Sequence, residues 1–162
     1  MEAKQLYQGK HTKQVIFKLG NEEYGLDIML VNAIEKYMDL VRIPNAPSYI
    51  RGIINLRGDV IPVYSLRKKF GLNEKEVDSN TKLIVTKSQG ILMAYEVDEV
   101  KEIIEIPYNN ISETPIIVKS EDTAYIHSVA NINGRMLILL DHNGIISSSE
   151  KNHIEKLVGN NN

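Results

Sequence analysis

Catalysis would need a nucleophile beside a base, a pair of placed carboxylates, or a cluster of metal ligands. The chain offers none of these in a recognisable spacing. Its four histidines are His11, His127, His142 and His153, and no two stand in a metal-ligand spacing such as His-x-x-x-His. There is no cysteine, so disulfides, thiolate metal sites and a cysteine nucleophile are excluded, and a reducing compartment fits. No Gly-x-Ser-x-Gly elbow, phosphate-cradling glycine loop or dinucleotide fingerprint occurs. The pair Glu22-Glu23 falls at an expected hairpin turn, where solvated charge is the default. No catalytic residue, metal or cofactor is therefore expected, and an enzyme is the weakest of the function classes.

Two short motifs have a plainer reading than their names suggest. Arg57-Gly58-Asp59 spells an adhesion tripeptide, but its glycine has the local task of turning the chain between two strands. Asn110-Ile111-Ser112 matches a glycosylation acceptor, which means nothing without a secretory signal. Arg57 keeps a possible binding role: at a tight turn it is exposed, and its guanidinium presents a planar fork of donors to a carboxylate or to backbone carbonyls. A solvated turn residue is the competing reading.

The elements that would position such groups are written twice. Tyr49 through Leu66 aligns without a gap on Tyr125 through His142, with Tyr49 on Tyr125, Ile50 on Ile126, Asn55 on Asn131 and Gly58 on Gly134. Apolar residues meet apolar residues in between: Ile53 and Val129, Leu56 and Ile132, Ile61 and Leu137, Val63 and Leu139. Each copy reads as strand, glycine turn, strand, cap residue, short helix. Ser65 and Asp141 are the caps, and Gly71 is a stop for the first helix, expected over 66–70. His127 and His142 replace Arg51 and Leu66 at the borders of the second copy and are read as boundary residues. A looser echo relates Tyr24-Gly25-Leu26-Asp27 to Tyr95-Glu96-Val97-Asp98. Two copies predict two small β-barrels, a binding architecture with no catalytic signature.

Ahead of the first copy, Val15, Phe17 and Leu19 alternate with Gln14, Ile16 and Lys18, the period of a half-buried strand. Gly20-Asn21 turns it into a second strand carrying Tyr24, Leu26 and Ile28. The stretch 28–34 fits strand or helix, with Ile28 and Ile34 expected in the core. Residues 40–43 are expected to form a short strand and 48–51 one helical turn. Pro62 cannot donate to a ladder, so its strand is expected at an edge or a bulge. The polar stretch 73–80 is expected to link the subdomains. A loose arm over 1–12, barrels over 13–72 and 81–146, and a short C-terminal helix within 147–162, capped by Ser149 and ended by Gly159, complete the plan. Residues 108–122, with Pro115, are expected to be irregular.

At 162 residues with 43% apolar side chains, a core can form without staples. The formal net charge of −2 argues against a phosphate-backbone binder, which would show a basic excess. The polar N-terminus predicts no signal peptide, and no apolar run is long enough to span a bilayer. Any membrane role would come through a partner.

Three blocks carry a family resemblance: Tyr24-Gly25-Leu26-Asp27-Ile28; Val41-Arg42-Ile43-Pro44-Asn45-Ala46-Pro47; and Ile50-Arg51-Gly52-Ile53-Ile54-Asn55-Leu56-Arg57-Gly58-Asp59-Val60-Ile61-Pro62-Val63. Together with Val97-Asp98-Glu99-Val100 and Arg135 through Asp141 they resemble the bacterial chemotaxis coupling proteins of the CheW family, over residues 13–146. The resemblance implies an all-β fold with short helices, built as two SH3-like five-stranded β-barrel subdomains. It implies a non-catalytic adaptor that couples the cytoplasmic tip of transmembrane chemoreceptors to the regulatory domain of the histidine kinase CheA. It also implies a cytoplasmic protein recruited to receptor arrays, monomeric when free, that neither binds nucleic acid nor inserts into the membrane.

Carried over by position, the receptor-binding residues implied are Val31, Asn55, Arg57 and Val100, and the kinase-binding residues are Ile43, Pro47, Arg51 and Gly52. Three positions depart from the family pattern: Ala33 stands for a glutamate, Ser65 for an aspartate and Ser128 for a glycine. The chain has no room for a receiver domain or for kinase domains, so a stand-alone adaptor is expected. A small-barrel nucleic-acid binder is the alternative from another class; it would want stacking aromatics and a basic face, and the chain is 6% aromatic and acidic overall.

Overall fold

A computed structural model describes residues 10–88, 90–114, 124–146, 150, 152 and 154–156. The described chain is mostly strand. β1 (His11–Leu19) and β2 (Glu22–Asp27) form the first hairpin, turned by Gly20 at φ 62°. A 3-10 turn over Ile28–Leu30 leads to β3 (Val31–Lys36). β4 (Ile50–Leu56) and β5 (Asp59–Ser65) form the second hairpin, followed by α1 (Leu66–Lys69). β6 (Lys82–Ser88) and β7 (Ile91–Val97) form the third, and β8 (Glu99–Pro107) follows. After a 3-10 turn over Tyr108–Asn110 come β9 (Ile111–Glu113), the hairpin of β10 (Ile126–Ile132) and β11 (Arg135–Leu140), and α2 (His142–Ile145).

Two sheets result, ordered β3-β6-β7-β5-β4 and β8-β1-β2-β11-β10-β9. Under the sequence repeat β10-β11 corresponds to β4-β5, and the Tyr24 and Tyr95 echo sets β1-β2 against β6-β7. The two orders are thus the same, with β9 added to one. One sheet has six strands where five were expected.

The compact units are not the contiguous stretches 13–72 and 81–146. One unit contains residues 10–28 with 101–146; the other contains 29–100 with the described residues after 148. Each unit takes one hairpin from each half. β2 pairs parallel with β11 through Tyr24 and Ile138, and β5 pairs parallel with β7 through Tyr64 and Tyr95. The stretch 73–80 is consequently not an inter-unit linker. It joins α1 to β6 inside one unit, where Asp78 Oδ1 accepts the Asn80 N–H at 2.8 Å.

The alternation expected for β1 also fails, because β1 is an interior strand. Gln14, Val15, Ile16 and Phe17 are all buried. Ile16, expected outside, packs with Ile106, Ile111, Ala130, Leu137 and Leu139 in the core of its unit. Phe17 on the other face stacks on Tyr24 at 5.7 Å. In the other unit Ile54, Ile61, Val63, Leu83, Val85 and Ala94 form the core. Ile34, expected within it, is 38% exposed. The register of β3 shifts between Val31 and Ala33, and Ala33 is the β3 residue that packs on that core.

Smaller corrections share one cause, the pairing of segments far apart in sequence. β1 begins at His11, inside the expected arm. Residues 40–43 contribute only an isolated bridge, Val41 to Ile53. No helical turn forms at 48–51; the Ile50 N–H donates to Pro47 O at 2.9 Å and β4 starts there. β5 is interior, and Pro62 is accommodated because the ladder to β7 begins only at Val63. Part of 108–122 is regular, as β9 shows.

Both caps form. Ser65 Oγ accepts the Lys68 N–H at 3.3 Å, and Asp141 Oδ1 accepts the Asn143 N–H at 3.0 Å. Gly71 ends α1 at φ 73°, with the Leu72 N–H on Arg67 O at 2.8 Å. Of the C-terminal helix, residues 150, 152 and 154–156 are helical; Ile154 is buried and Glu150 accepts from Tyr64 Oη at 2.9 Å. Ser149, His153, Gly159, Pro115 and residues 1–9 lie outside the described residues.

Candidate partner-binding surface

All eight residues implied as partner contacts fall in the unit of residues 29–100. Asn55 and Arg57 share the tip of the β4–β5 hairpin. Arg57 and Gly58 have φ of 54° and 89°, the double left-handed geometry of a type I′ turn. That geometry follows the right-handed twist of the strands, but it costs a non-glycine residue about 1–2 kcal/mol. Arg57 accepts this conformation with its side chain exposed. Asn55 is exposed too, but its Oδ1 accepts the Gly58 N–H at 3.2 Å.

Ile43 and Pro47 lie on the segment that runs into β4, and Arg51 and Gly52 lie on β4 itself. The segment 40–50 folds back on the outer edge of β4 through reciprocal 2.9 Å bonds between Val41 and Ile53. Gly52 is required by that approach: a Cβ there would lie 2.6 Å from Val41 O. The equivalent place in the second copy holds the fully buried Ser128, opposite Glu113 of β9; its hydroxyl meets His127 Nδ1 at 2.9 Å. Val41 itself is 65% exposed.

Arg51 is engaged inside its unit. Its Nη2 lies 3.2 Å from Glu96 Oε2 on β7 and its Nη1 3.6 Å from Glu74. Sequence reasoning missed both partners, since nothing local marks partners so distant in the sequence. Nearby, Arg67 Nε donates to Asp98 Oδ1 at 2.8 Å, which raises the arginine pKa further and ties α1 to the end of β7. Val31 is half-buried on the sheet's other edge strand, opposite Thr86, and Val100 is half-buried near the start of β8.

Among the described residues no group of three His, Asp or Glu side chains could hold a metal ion, and no helix is long and apolar enough to cross a membrane. The two histidines of the second copy are packing residues. Burial pulls His127 and His142 below the ordinary histidine pKa, against an opposing pull from Asp141. A histidine depressed by folding binds fewer protons folded than unfolded. Its stabilising contribution is full above the unfolded value of about 6.5 and is lost as pH falls below it toward the folded value. Unfolding free energy should therefore fall as pH drops below about 6.5, by at most about 1.4 kcal/mol per pH unit for each histidine. His142→Leu, which installs the residue of the first copy, should flatten that slope in urea titrations; an unchanged slope would show that His142 does not titrate on unfolding.

Residues 13–150 match the family model described as the CheW-like domain. The chain is 37% identical over 136 residues to the chemotaxis protein CheW of Klebsiella aerogenes, covering 84% of this chain and 82% of that protein. It is 31% identical to the chemotaxis protein CheW of Bacillus subtilis, covering 83% and 86%. Among solved structures it resembles the scaffolding protein TtCheW of Thermoanaerobacter tengcongensis, with a TM-score of 0.78, 35% identity, and coverage of 86% of this chain and 95% of that one. These relatives give the nucleic-acid-binding alternative no support.

Proposed function

This chain belongs to the CheW-like domain family, and from that premise we propose that it is a non-catalytic chemotaxis adaptor coupling chemoreceptors to the histidine kinase CheA. In this reading it works in the cytoplasm, is monomeric when free and joins receptor arrays through its partners. Receptor contact is assigned to Val31, Arg57 and Val100, with Asn55 in the same hairpin tip as Arg57, and kinase contact to the segment of Ile43, Pro47, Arg51 and Gly52.

The observation that supports it most directly is Arg57. A side chain exposed at a hairpin tip, on a backbone conformation that favours glycine or asparagine, is the kind of local strain kept at functional sites. No hydrogen bond or ion pair within the described residues occupies its guanidinium, which leaves it available to a partner carboxylate or carbonyl. Arg57→Ala should weaken binding to a receptor cytoplasmic fragment or to the CheA regulatory domain by about 1.5–3 kcal/mol, the worth of a charge-assisted hydrogen bond. Folding stability should move by less than about 0.5 kcal/mol. Calorimetric titration beside urea unfolding separates the two; lost stability with unchanged affinities would make Arg57 structural.

A further inference from the structure

We propose that Asn55 is a positioning residue, which serves partner binding only by holding the turn that aims Arg57. The proposal rests on the reading of Arg57 as partner-facing. Its observation is the duplicated hairpin, which acts as an internal control. In the first copy Asn55 Oδ1 accepts the Gly58 N–H at 3.2 Å; in the second Asn131 Oδ1 accepts the Gly134 N–H at 3.0 Å. The turn residues have φ of 54° and 89° in one copy and 51° and 87° in the other. In both, the asparagine sits one residue before the last strand pair, Leu56 with Asp59 and Ile132 with Arg135.

The two turns differ in what they carry. The left-handed position holds Arg57 in the first copy and Asn133 in the second. Asparagine adopts that region at less cost than arginine. The side-chain bond is therefore a property of the turn, present with or without an arginine to display. It matters more where the residue at the tip resists its own backbone conformation. Without the acceptor, the Gly58 N–H loses its fixed partner, the Leu56–Asp59 closure loosens, and Arg57 can leave the left-handed region. The guanidinium then points elsewhere. A direct contact between the Asn55 amide and a partner is not needed, since the same oxygen makes the same bond at the other hairpin.

A double-mutant cycle on the full chain tests this, with a receptor cytoplasmic fragment and the CheA regulatory domain as the probes. Asn55→Ala should reduce affinity about five- to twentyfold for the probe that Arg57 engages, and should cause no further loss in the Arg57→Ala background. Asn55→Asp should restore binding, because a carboxylate oxygen accepts the same N–H. Asn131→Ala should lower the melting temperature as Asn55→Ala does and leave affinity unchanged. An Asn55→Ala loss of equal size in both backgrounds would overturn the positioning role and make Asn55 a direct contact. Unchanged affinity for Asn55→Ala while Arg57→Ala binds weakly would overturn it as well. If Arg57→Ala itself binds both probes normally, the partner-facing reading of Arg57 is what fails, and this proposal falls with it.

Discussion

Gly144→Ala is expected to be the most damaging single substitution considered. Gly144 lies in α2, whose cap Asp141 donates its N–H to Tyr125 O at 2.7 Å while the Gly144 N–H bonds back to Asp141 O at 2.9 Å. A Cβ at this position would stand 2.5 Å from the Ala124 carbonyl carbon and 2.9 Å from Tyr125 N, and would also meet Ala124 O. These are backbone atoms, which cannot swing aside as a side chain can. Either the 124–125 peptide moves, breaking the bond from Asp141, or the helix lifts and draws the fully buried Ile145 out of its unit. The expected cost is about 4 kcal/mol or more. Against a total stability of about 5–15 kcal/mol, that means a melting temperature lower by roughly 8–16 °C. Lys68 holds the equivalent place in α1, and Lys68→Ala should be nearly silent in the same melts. If Gly144→Ala melted with the parent, the close approach of α2 to Ala124 would not exist in solution.

Arg51→Ala should produce the second largest effect, and through folding more than through partner contact. Arg51 reaches from β4 over β5 to Glu96 on β7, whose side chain is 10% exposed. Removing the guanidinium strands a mostly buried carboxylate. Breaking a fully buried pair costs about 3–5 kcal/mol. Arg51 is 25% exposed, so water screens part of the interaction and about 2–3 kcal/mol is expected. Glu74 is too exposed to matter here, at 63%. Glu96→Ala in the Arg51→Ala background should recover part of the loss, because the uncompensated charge goes with it. Urea unfolding of the two single variants and the double variant reads this coupling. Simple addition of the two losses would show that the pair is not coupled. A kinase-binding defect measured on Arg51→Ala alone would then need correction for the fraction unfolded.

What the sequence by itself determined is local and repeated. The hairpins, the turns at Arg57-Gly58 and Asn133-Gly134, and the caps Ser65 and Asp141 each depend on residues within a few positions of one another, and each formed. The Tyr49 and Tyr125 copies made two equivalent β units legible, and the family blocks pointed to an adaptor whose family the comparisons then identified. Arg57 was visible as an exposed turn residue because a type I′ tip has nowhere to bury it. The tertiary structure alone decided how the halves combine. Duplicated hairpins present equivalent edges, so pairing within a half and pairing across halves satisfy the same backbone bonds, and the repeat cannot choose between them. That one choice explains why 73–80 lies inside a unit. A second nonlocal fact, which strand is interior, decided the rest: β1 buries Ile16 as well as Phe17, and β5 keeps Pro62 away from an edge. Gly52 needs its hydrogen because Val41, on a segment upstream, folds over it, and Arg51 has its partner because β7 arrives two strands away.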